Sequence, residues 1–445
     1  MKRLIYGLVA AVCLFSLMSV TPSYALDGNK IDWVYKGVSV SDRHSDLKHY
    51  VWETARPPNG SWDKVRLHRY VDEPQNKDAI PYKPSKDPRK VLFHLPGTWD
   101  VGIPVNSDPA VSHFWFFAEN GYDVYAIDYR TSFVPKINYA QFQELGYGDV
   151  LKATAEWTYA LFREDIKAGV ELSKKISGAK KVFMSGHSRG GSQTYFYAAK
   201  YFKEDLHALI LWDGGGIWLP LDVPSKQMTE AEWREMVTNF KKGLFSPPDN
   251  LFLAENGGRE RSLYAEAVPY SLKTVGFKIL EDDIKDIQSR YPRGTYPDPP
   301  AGSIKTVSDL VAWAMHYVWG PAKYTNFYGG YIDRDVAVKY EAHNDRYWPT
   351  IQNMETMAML EYSDCPFLDY DNTRTITLPI LFFGTEFGCP NGSCLDGKGQ
   401  PYKVASTDVK IIYLQSQGHI DMLVGTHSLE TVKKPMLKWM NDRLQ

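Results

Sequence analysis

The chain reads as an α/β protein built on a doubly wound, mostly parallel sheet, with a large, mainly helical cap inserted before the last two strands. Three observations carry this reading. Apolar strand-like runs alternate with amphipathic helical patterns from Lys90 to Trp212, the rhythm of a parallel sheet wound by crossover helices. A long stretch from Asp213 to Arg374, rich in Trp, Tyr and Pro, interrupts that rhythm. The rhythm then returns in LPILFFG and VKIIYLQ and closes with a C-terminal helix. With 445 residues, 44% of them hydrophobic, the chain can fill a large core, which excludes a disordered or fibrous class.

At the start, Lys2 and Arg3 precede an apolar run that is followed by Pro22, Ser23 and Ala25. This is the pattern of a secretory signal peptide, residues 1–25, cut after Ala25. The run is short for a retained anchor, and no later segment has the roughly eighteen uninterrupted apolar residues of a membrane span. The mature product is therefore expected outside the cytoplasm, in the periplasm or medium of a bacterium. The formal net charge is −2, and loss of Lys2 and Arg3 makes it more negative. Neither nucleic acid nor an anionic membrane surface is an expected partner.

After the signal, WVYKGVSV and WDKVRLHRYV read as strands, the second with alternating Val65 and Leu67. From Lys90 the order is strand KVLFHL, loop PGTWDVG, a helix around AVSHFWFFAENG, and strand YDVYAIDYR. A helix over TYALFREDIKAGVELSKKI follows, its Phe162, Ile166 and Val170 spaced by four, and then strand KVFMS, helix SQTYFYAAKYF and strand HALILW. The core domain is thus assigned to residues 26–213 and 374–445, and the cap to 214–373. Inside the cap, Thr229 and Glu232 fit a capping box, SDLVAWAMHYVWG reads as a helix, and YPRGTYPDPPAG as a connector. Trp233, Trp313, Trp319 and Trp348 are expected to form the cap's own core, the alternative being a stacking cleft.

Three cysteines remain after signal cleavage. In CPNGSC the turn-forming Pro390-Asn391-Gly392 closes a tight loop, so Cys389–Cys394 is the expected disulfide in an oxidising compartment. Zinc lacks the further nearby ligands it needs, leaving Cys365 as an odd, buried thiol.

The stretch KKVFMSGHSRGGSQTYFYAAK contains the chemistry. An apolar strand stops at Gly186-His187-Ser188-Arg189-Gly190, and a helix follows. A serine hydroxyl becomes a nucleophile when it is exposed and a base takes its proton, and a sharp strand-to-helix turn provides the exposure. Glycines at 186 and 190 leave room for that turn, and the following helix directs its N-terminal amides at a developing oxyanion.

In these features the chain resembles the α/β-hydrolase superfamily. The matching stretches are HLPGTW, NGYDVYAIDYR, SGHSRGG, LPILFFG and QGHIDML, covering about residues 85–219 and 374–445. The resemblance implies a Ser-acid-His order on loops at the carboxyl edge of the sheet. Ser188 is then the nucleophile and His419, directly after VKIIYLQ, the base, with His427 in a solvated or capping role. The acid should follow LPILFFG. Glu386 is the first choice, Asp396 the rival beyond the cysteine loop, and Asp213 a third possibility, expected rather to form a turn before its glycines. The oxyanion hole is implied at the amides of Arg189 and Thr98, with Trp99 the neighbouring candidate.

The resulting expectation is an exported serine hydrolase that cleaves a small-molecule or polymer-derived carboxylic ester through an acyl-enzyme, without cofactor or metal. A peptidase or amidase with the same triad, a catalytically silent ligand-binding homologue, and a lyase or haloperoxidase on the same scaffold are the alternatives.

Overall fold

The computed structural model describes residues 31–42, 46–73, 89–98, 100–134, 152–214, 229–243, 373–385 and 404–444, with Ser23, Tyr24 and individual positions at 331–355 and 388–395. Ten strands among them form one sheet, in the order β1-β2-β3-β4-β6-β5-β7-β8-β9-β10. The first four are β1 (Ser23–Tyr24), β2 (Trp33–Val40), β3 (Leu47–Ala55) and β4 (Lys64–Asp72), an antiparallel meander. The rest are β5 (Lys90–Leu95), β6 (Tyr122–Asp128), β7 (Val182–His187), β8 (Leu206–Trp212), β9 (Ile380–Thr385) and β10 (Val409–Leu414). These six run parallel, and β4 joins them antiparallel to β6.

Strand β3 was not among the strands expected from sequence. Its inward Tyr50, Trp52 and Thr54 are buried, and the intervening His49, Val51 and Glu53 are half-exposed. Strand β1 lies within the expected signal peptide, so cleavage after Ala25 would remove it and leave β2 at the sheet edge.

The helices are α1 (His113–Glu119), α2 (Tyr159–Ser177), α3 (Arg189–Asp205), α4 (Glu230–Lys241), α5 (Asp421–Val424) and α6 (Lys434–Asn441). Their ends follow local rules. Thr158 caps α2 by accepting from the Leu161 amide, and Gly178 ends it at φ 72°. Thr229 and Glu232 form the capping box that starts α4. The expected cap helix SDLVAWAMHYVWG, the connector YPRGTYPDPPAG, Trp313, Trp319, Trp348 and Cys365 lie outside the described residues. No helix among the described residues is long and apolar enough to cross a membrane.

Because side chains alternate along a strand, the central strands feed two apolar layers. Phe93, Met184, Leu211 and Phe382 pack with Phe162 and Ile166 of α2 and Phe196 of α3. Leu92, Phe183, Ile210 and Phe383 pack on the other face with Phe117 of α1 and Met436 and Trp439 of α6. Both faces of the parallel sheet are thereby covered, as its continuous apolar strands require. From β5 the chain winds first to β6 on one side and then to β7 on the other. The β5/β7 boundary is the topological switch point, where the loops leaving the strand ends diverge and open a crevice.

Asp205 ends α3, where the helix dipole disfavours a carboxylate. Its buried side chain accepts from Lys167 Nζ and Lys174 Nζ, each at 2.7 Å, and from Tyr197 Oη at 2.5 Å. Burial alone would raise its pKa, but these three hydrogen bonds and the Lys167 charge outweigh burial and hold it below the ordinary aspartate value. The carboxylate thus contributes stability that is fully present above the unfolded-state pKa of about 4 and is lost as pH falls through the lower folded-state value. Denaturation of Asp205→Asn should show a loss of about 2 kcal/mol at pH 7, with a shallower decline in stability below pH ~4 than in the unmodified chain.

Candidate active site

Ser188 is the residue immediately after β7, at φ 53° and ψ −121°. That region is unfavourable for a residue with a Cβ, and close main-chain packing holds it there. A Cβ on Gly186 would lie 2.2 Å from Gly190 O, and one on Gly190 would lie 2.0 Å from Leu95 O. Only glycine fits either position. The Ser188 amide donates to Trp212 O at 3.0 Å, and its carbonyl accepts from the Gly191 amide at 2.9 Å. The loop after β5 also comes close, since a Cβ on Gly97 would lie 3.2 Å from Ser188 Cβ.

The next strand repeats this placement. His187 pairs with Trp212, so Asp213 follows β8 as Ser188 follows β7. Asp213 has φ 48°, and its amide donates to Phe383 O at 2.7 Å. Its buried carboxylate accepts from three donors: the Thr385 amide to Oδ1 at 2.9 Å, and Thr385 Oγ1 and His419 Nδ1 to Oδ2 at 2.5 and 2.7 Å. On the opposite side the Gly388 backbone abuts it, for a Cβ there would lie 1.8 Å from Asp213 Oδ1.

The carboxylate bonded to His419 Nδ1 is Asp213, the third candidate acid, for which a turn was the expected role. Glu386 and Asp396 lie outside the described residues. The pairing of Asp213 with His419 follows from register. Strand β8 lies between β7 and β9, and its end places Asp213 beside Thr385, the last residue of β9. The end of β9, where the acid was expected, instead supplies the donor that orients it. Sequence reasoning did not single out Thr385; its signal was a hydroxyl residue on the glycine that ends LPILFFG.

His419 is 1% exposed, and with Nδ1 donating to Asp213 its Nε2 is left as the acceptor, the tautomer a general base needs. His427 lies apart from this pairing, its ring 4.1 Å from that of Tyr331. Arg189 starts α3, and its side chain donates from Nε to Thr98 Oγ1 at 3.1 Å and from Nη1 to Tyr159 Oη at 3.4 Å. The two segments expected to supply oxyanion amides are thus in contact. Trp99 lies outside the described residues. Cys389 and Cys394 are joined by a buried disulfide with a Cα–Cα distance of 5.1 Å. The bridge packs on Gly384 of β9 and leads directly from the Gly388 that touches Asp213.

The chain is similar to a candidate lipase from Sulfolobus solfataricus, with 22% identity, a TM-score of 0.62, and coverage of 92% of this chain and 99% of that one. The chain has the α/β-hydrolase fold. Lower likenesses to solved structures include a carboxyl esterase from Bacillus coagulans, at 13% identity, TM-score 0.40 and coverage of 89% and 99%. An epoxide hydrolase from Vigna radiata matches at 9% identity, TM-score 0.38 and coverage of 92% and 98%. No protein-family profile matches the sequence, and no curated protein is similar to it at a significant level. In this α/β-hydrolase fold, Ser188, Asp213, Thr385 and His419 stand at or just beyond the carboxyl ends of four neighbouring parallel strands, the edge where such sheets bind ligands.

The buried Asp213–His419 bond has a direct signature. A proton shared between two groups hidden from water exchanges slowly, and a far-downfield imidazole N–H resonance is expected in the proton NMR spectrum. It should vanish in both Asp213→Ala and His419→Ala and persist in Ser188→Ala; survival of the signal in Asp213→Ala would mean that another carboxylate holds the ring.

Proposed function

We propose that the protein is a serine hydrolase that cleaves a carboxylic ester, with Ser188 as nucleophile, His419 as general base and Asp213 as the orienting acid. The observation that carries this reading is the 2.7 Å bond from His419 Nδ1 to a fully buried Asp213 carboxylate, set one strand from a serine held at φ 53°. An aspartate in that place selects the Nδ1–H tautomer and stabilises the imidazolium that forms when the base accepts a proton.

In the proposed reaction Ser188 Oγ attacks the ester carbonyl while its proton passes to His419 Nε2. The oxyanion is held by the amide of Arg189, at the first turn of α3, and by that of Thr98. Return of the proton to the leaving alkoxide completes the acyl-enzyme, and water activated by the same His419 releases the acid. The contact between Arg189 and Thr98 supports the oxyanion assignment, because it holds the two amide-bearing segments together.

The insertion 214–373 is proposed as a cap over this site. Supporting this, Glu355 Oε2 accepts from the Tyr159 amide at 2.8 Å, Gln352 donates to Trp157 O at 2.8 Å, and Gln193 of α3 donates to Gln352 at 3.3 Å. These contacts anchor the insertion's return at the start of α2 and on the helix that follows the elbow. Export is proposed on the signal pattern of residues 1–25 and supported by the Cys389–Cys394 bridge, which suits an oxidising compartment.

A fluorophosphonate should label the purified mature protein at Ser188, with loss of labelling in Ser188→Ala and His419→Ala, as read by peptide mass spectrometry. Turnover of p-nitrophenyl butyrate should fall by about 10⁴-fold in Asp213→Asn, which leaves the imidazole in the wrong tautomer. Undiminished activity in Asp213→Asn would overturn the assignment of the acid. Cleavage of a p-nitroanilide without ester turnover would favour the amidase alternative.

A further inference from the structure

We propose that His187, the residue between Gly186 and Ser188, is a positioning residue for the base. Its Nε2–H holds the main chain of His419, so that one turn both carries the nucleophile and fixes the histidine that activates it. The inference rests on the triad reading above and concerns a side chain that this reading leaves without a task.

His187 is 2% exposed, and its Nε2 lies 3.1 Å from the carbonyl oxygen of His419, with the two rings 4.3 Å apart. A carbonyl can only accept, so the proton of a neutral His187 resides on Nε2. The ring is neutral at ordinary pH. Burial, and then the proximity of His419 and His94, push its pKa well below the usual imidazole value, against the smaller opposing effect of the His419 carbonyl. Nδ1 is then a lone pair, and it has no hydrogen-bond partner among the described residues. It faces the loop after β5, where a Cβ on Gly97 would lie 3.1 Å from it. A buried acceptor left unpaired is costly, so the bond at Nε2 is the polar interaction this ring makes with its surroundings.

The consequence follows from how His419 is held. The segment between β10 and α5 is held by Gln417 N to Leu414 O at 3.2 Å, Gly418 N to Asp421 Oδ2 at 2.9 Å, and Thr431 Oγ1 to Gln417 Oε1 at 3.3 Å. A bond at Nδ1 does not by itself set the direction of Nε2. Bonding the main chain of the same residue to the elbow supplies a second fixed point, and the direction of Nε2 towards the site is then set. Small errors of this kind are expensive, since displacement of a reacting group by about 1 Å can cost about 100-fold in rate. Neutrality matters as well. When His419 takes a proton during the reaction, an uncharged neighbour does not oppose it.

Three variants separate positioning from packing. Gln places its amide nitrogen near the position of Nε2 and can donate to the His419 carbonyl; Asn places its amide near Nδ1 and cannot reach; Leu fills the space without a donor. The readouts are the second-order rate of fluorophosphonate labelling at Ser188 and kcat and KM for p-nitrophenyl butyrate, with circular dichroism melting to confirm folding. His187→Leu and His187→Asn should label about ten- to a hundredfold more slowly, with kcat falling and KM nearly unchanged. His187→Gln should stay within about threefold of the unmodified protein. Folded Leu and Asn variants within twofold of the parent would overturn the inference while leaving the triad reading intact. So would a Gln variant as slow as Asn, a comparison that holds even if the Leu variant does not fold. Absence of labelling in the unmodified protein, or its persistence in His419→Ala, would overturn the triad reading and this inference with it.

Discussion

The close approach of three main-chain segments at Leu95, Gly186 and Gly190 is the constraint on which the rest of this molecule depends. The space left for side chains there is nil, with hypothetical Cβ atoms 2.0–2.2 Å from backbone oxygens. That contact lays the first turn of α3 across the ends of β5 and β7 and forces Ser188 into a positive φ. Strain of about 1–3 kcal/mol in one residue persists only when its surroundings over-determine it. Here the surroundings are the apolar strands β5, β7 and β8, whose residues on both faces are almost entirely inaccessible to solvent. The folding energy of the sheet thus maintains a local geometry that no local preference would choose.

A second consequence is electrostatic. An ionised Asp213 with no solvent contact would be prohibitively desolvated on its own, and the fold meets that cost with three donors, two of them from Thr385. His94 and His113 on the same side of the sheet are buried and held neutral, the first with its pKa pushed down to about 3 by burial alone, the second well below the usual range by burial and by its neighbours His94, Lys433 and His187. Neutral imidazoles pack here as polarisable, flat side chains, with rings 4.5 Å apart for His94 and His113 and 5.0 Å apart for His113 and Trp212. Held neutral, these two rings add no positive charge of their own in a medium that screens poorly.

Much of this was legible in the sequence, and what escaped notice did so for physical reasons. The parallel strands announce themselves as continuous apolar runs because both faces are buried, and Ser188 is visible because an elbow imposes glycines at fixed offsets. His419 follows from chain order and from its place directly after a strand. The acid was harder. Two adjacent parallel strands end within a few ångströms of each other, and nothing in the spacing of residues says which of two strand ends turns a carboxylate inward. The deciding features are the positive φ at Asp213 and the pairing of its amide with Phe383, both products of sheet register. Strand β3 is a different kind of omission. Tyr50, Trp52 and Thr54 alternate with half-exposed residues, but charged positions such as Lys48 and Glu53 make the segment read as a loop.

With Asp213 bonded to His419 from the end of β8, the end of β9 takes a supporting part. Thr385 donates to Asp213, the Gly388 backbone presses against its carboxylate, and the disulfide follows immediately, with the Cys389 amide bonded back to Thr385 O at 2.7 Å. The Cys389 amide thus closes the turn that begins at Thr385, and the bridge closes the loop that follows it. A flexible loop in this position would let the Thr385 hydroxyl rotate away and water reach Asp213, which would weaken the carboxylate's hold on the imidazole by raising the local dielectric. Cross-linking Cys389 to Cys394 limits that freedom at small cost in chain length. The restraint on Asp213 is thus assembled from the strand next to it, and the carboxylate and its support come from two different parts of the chain.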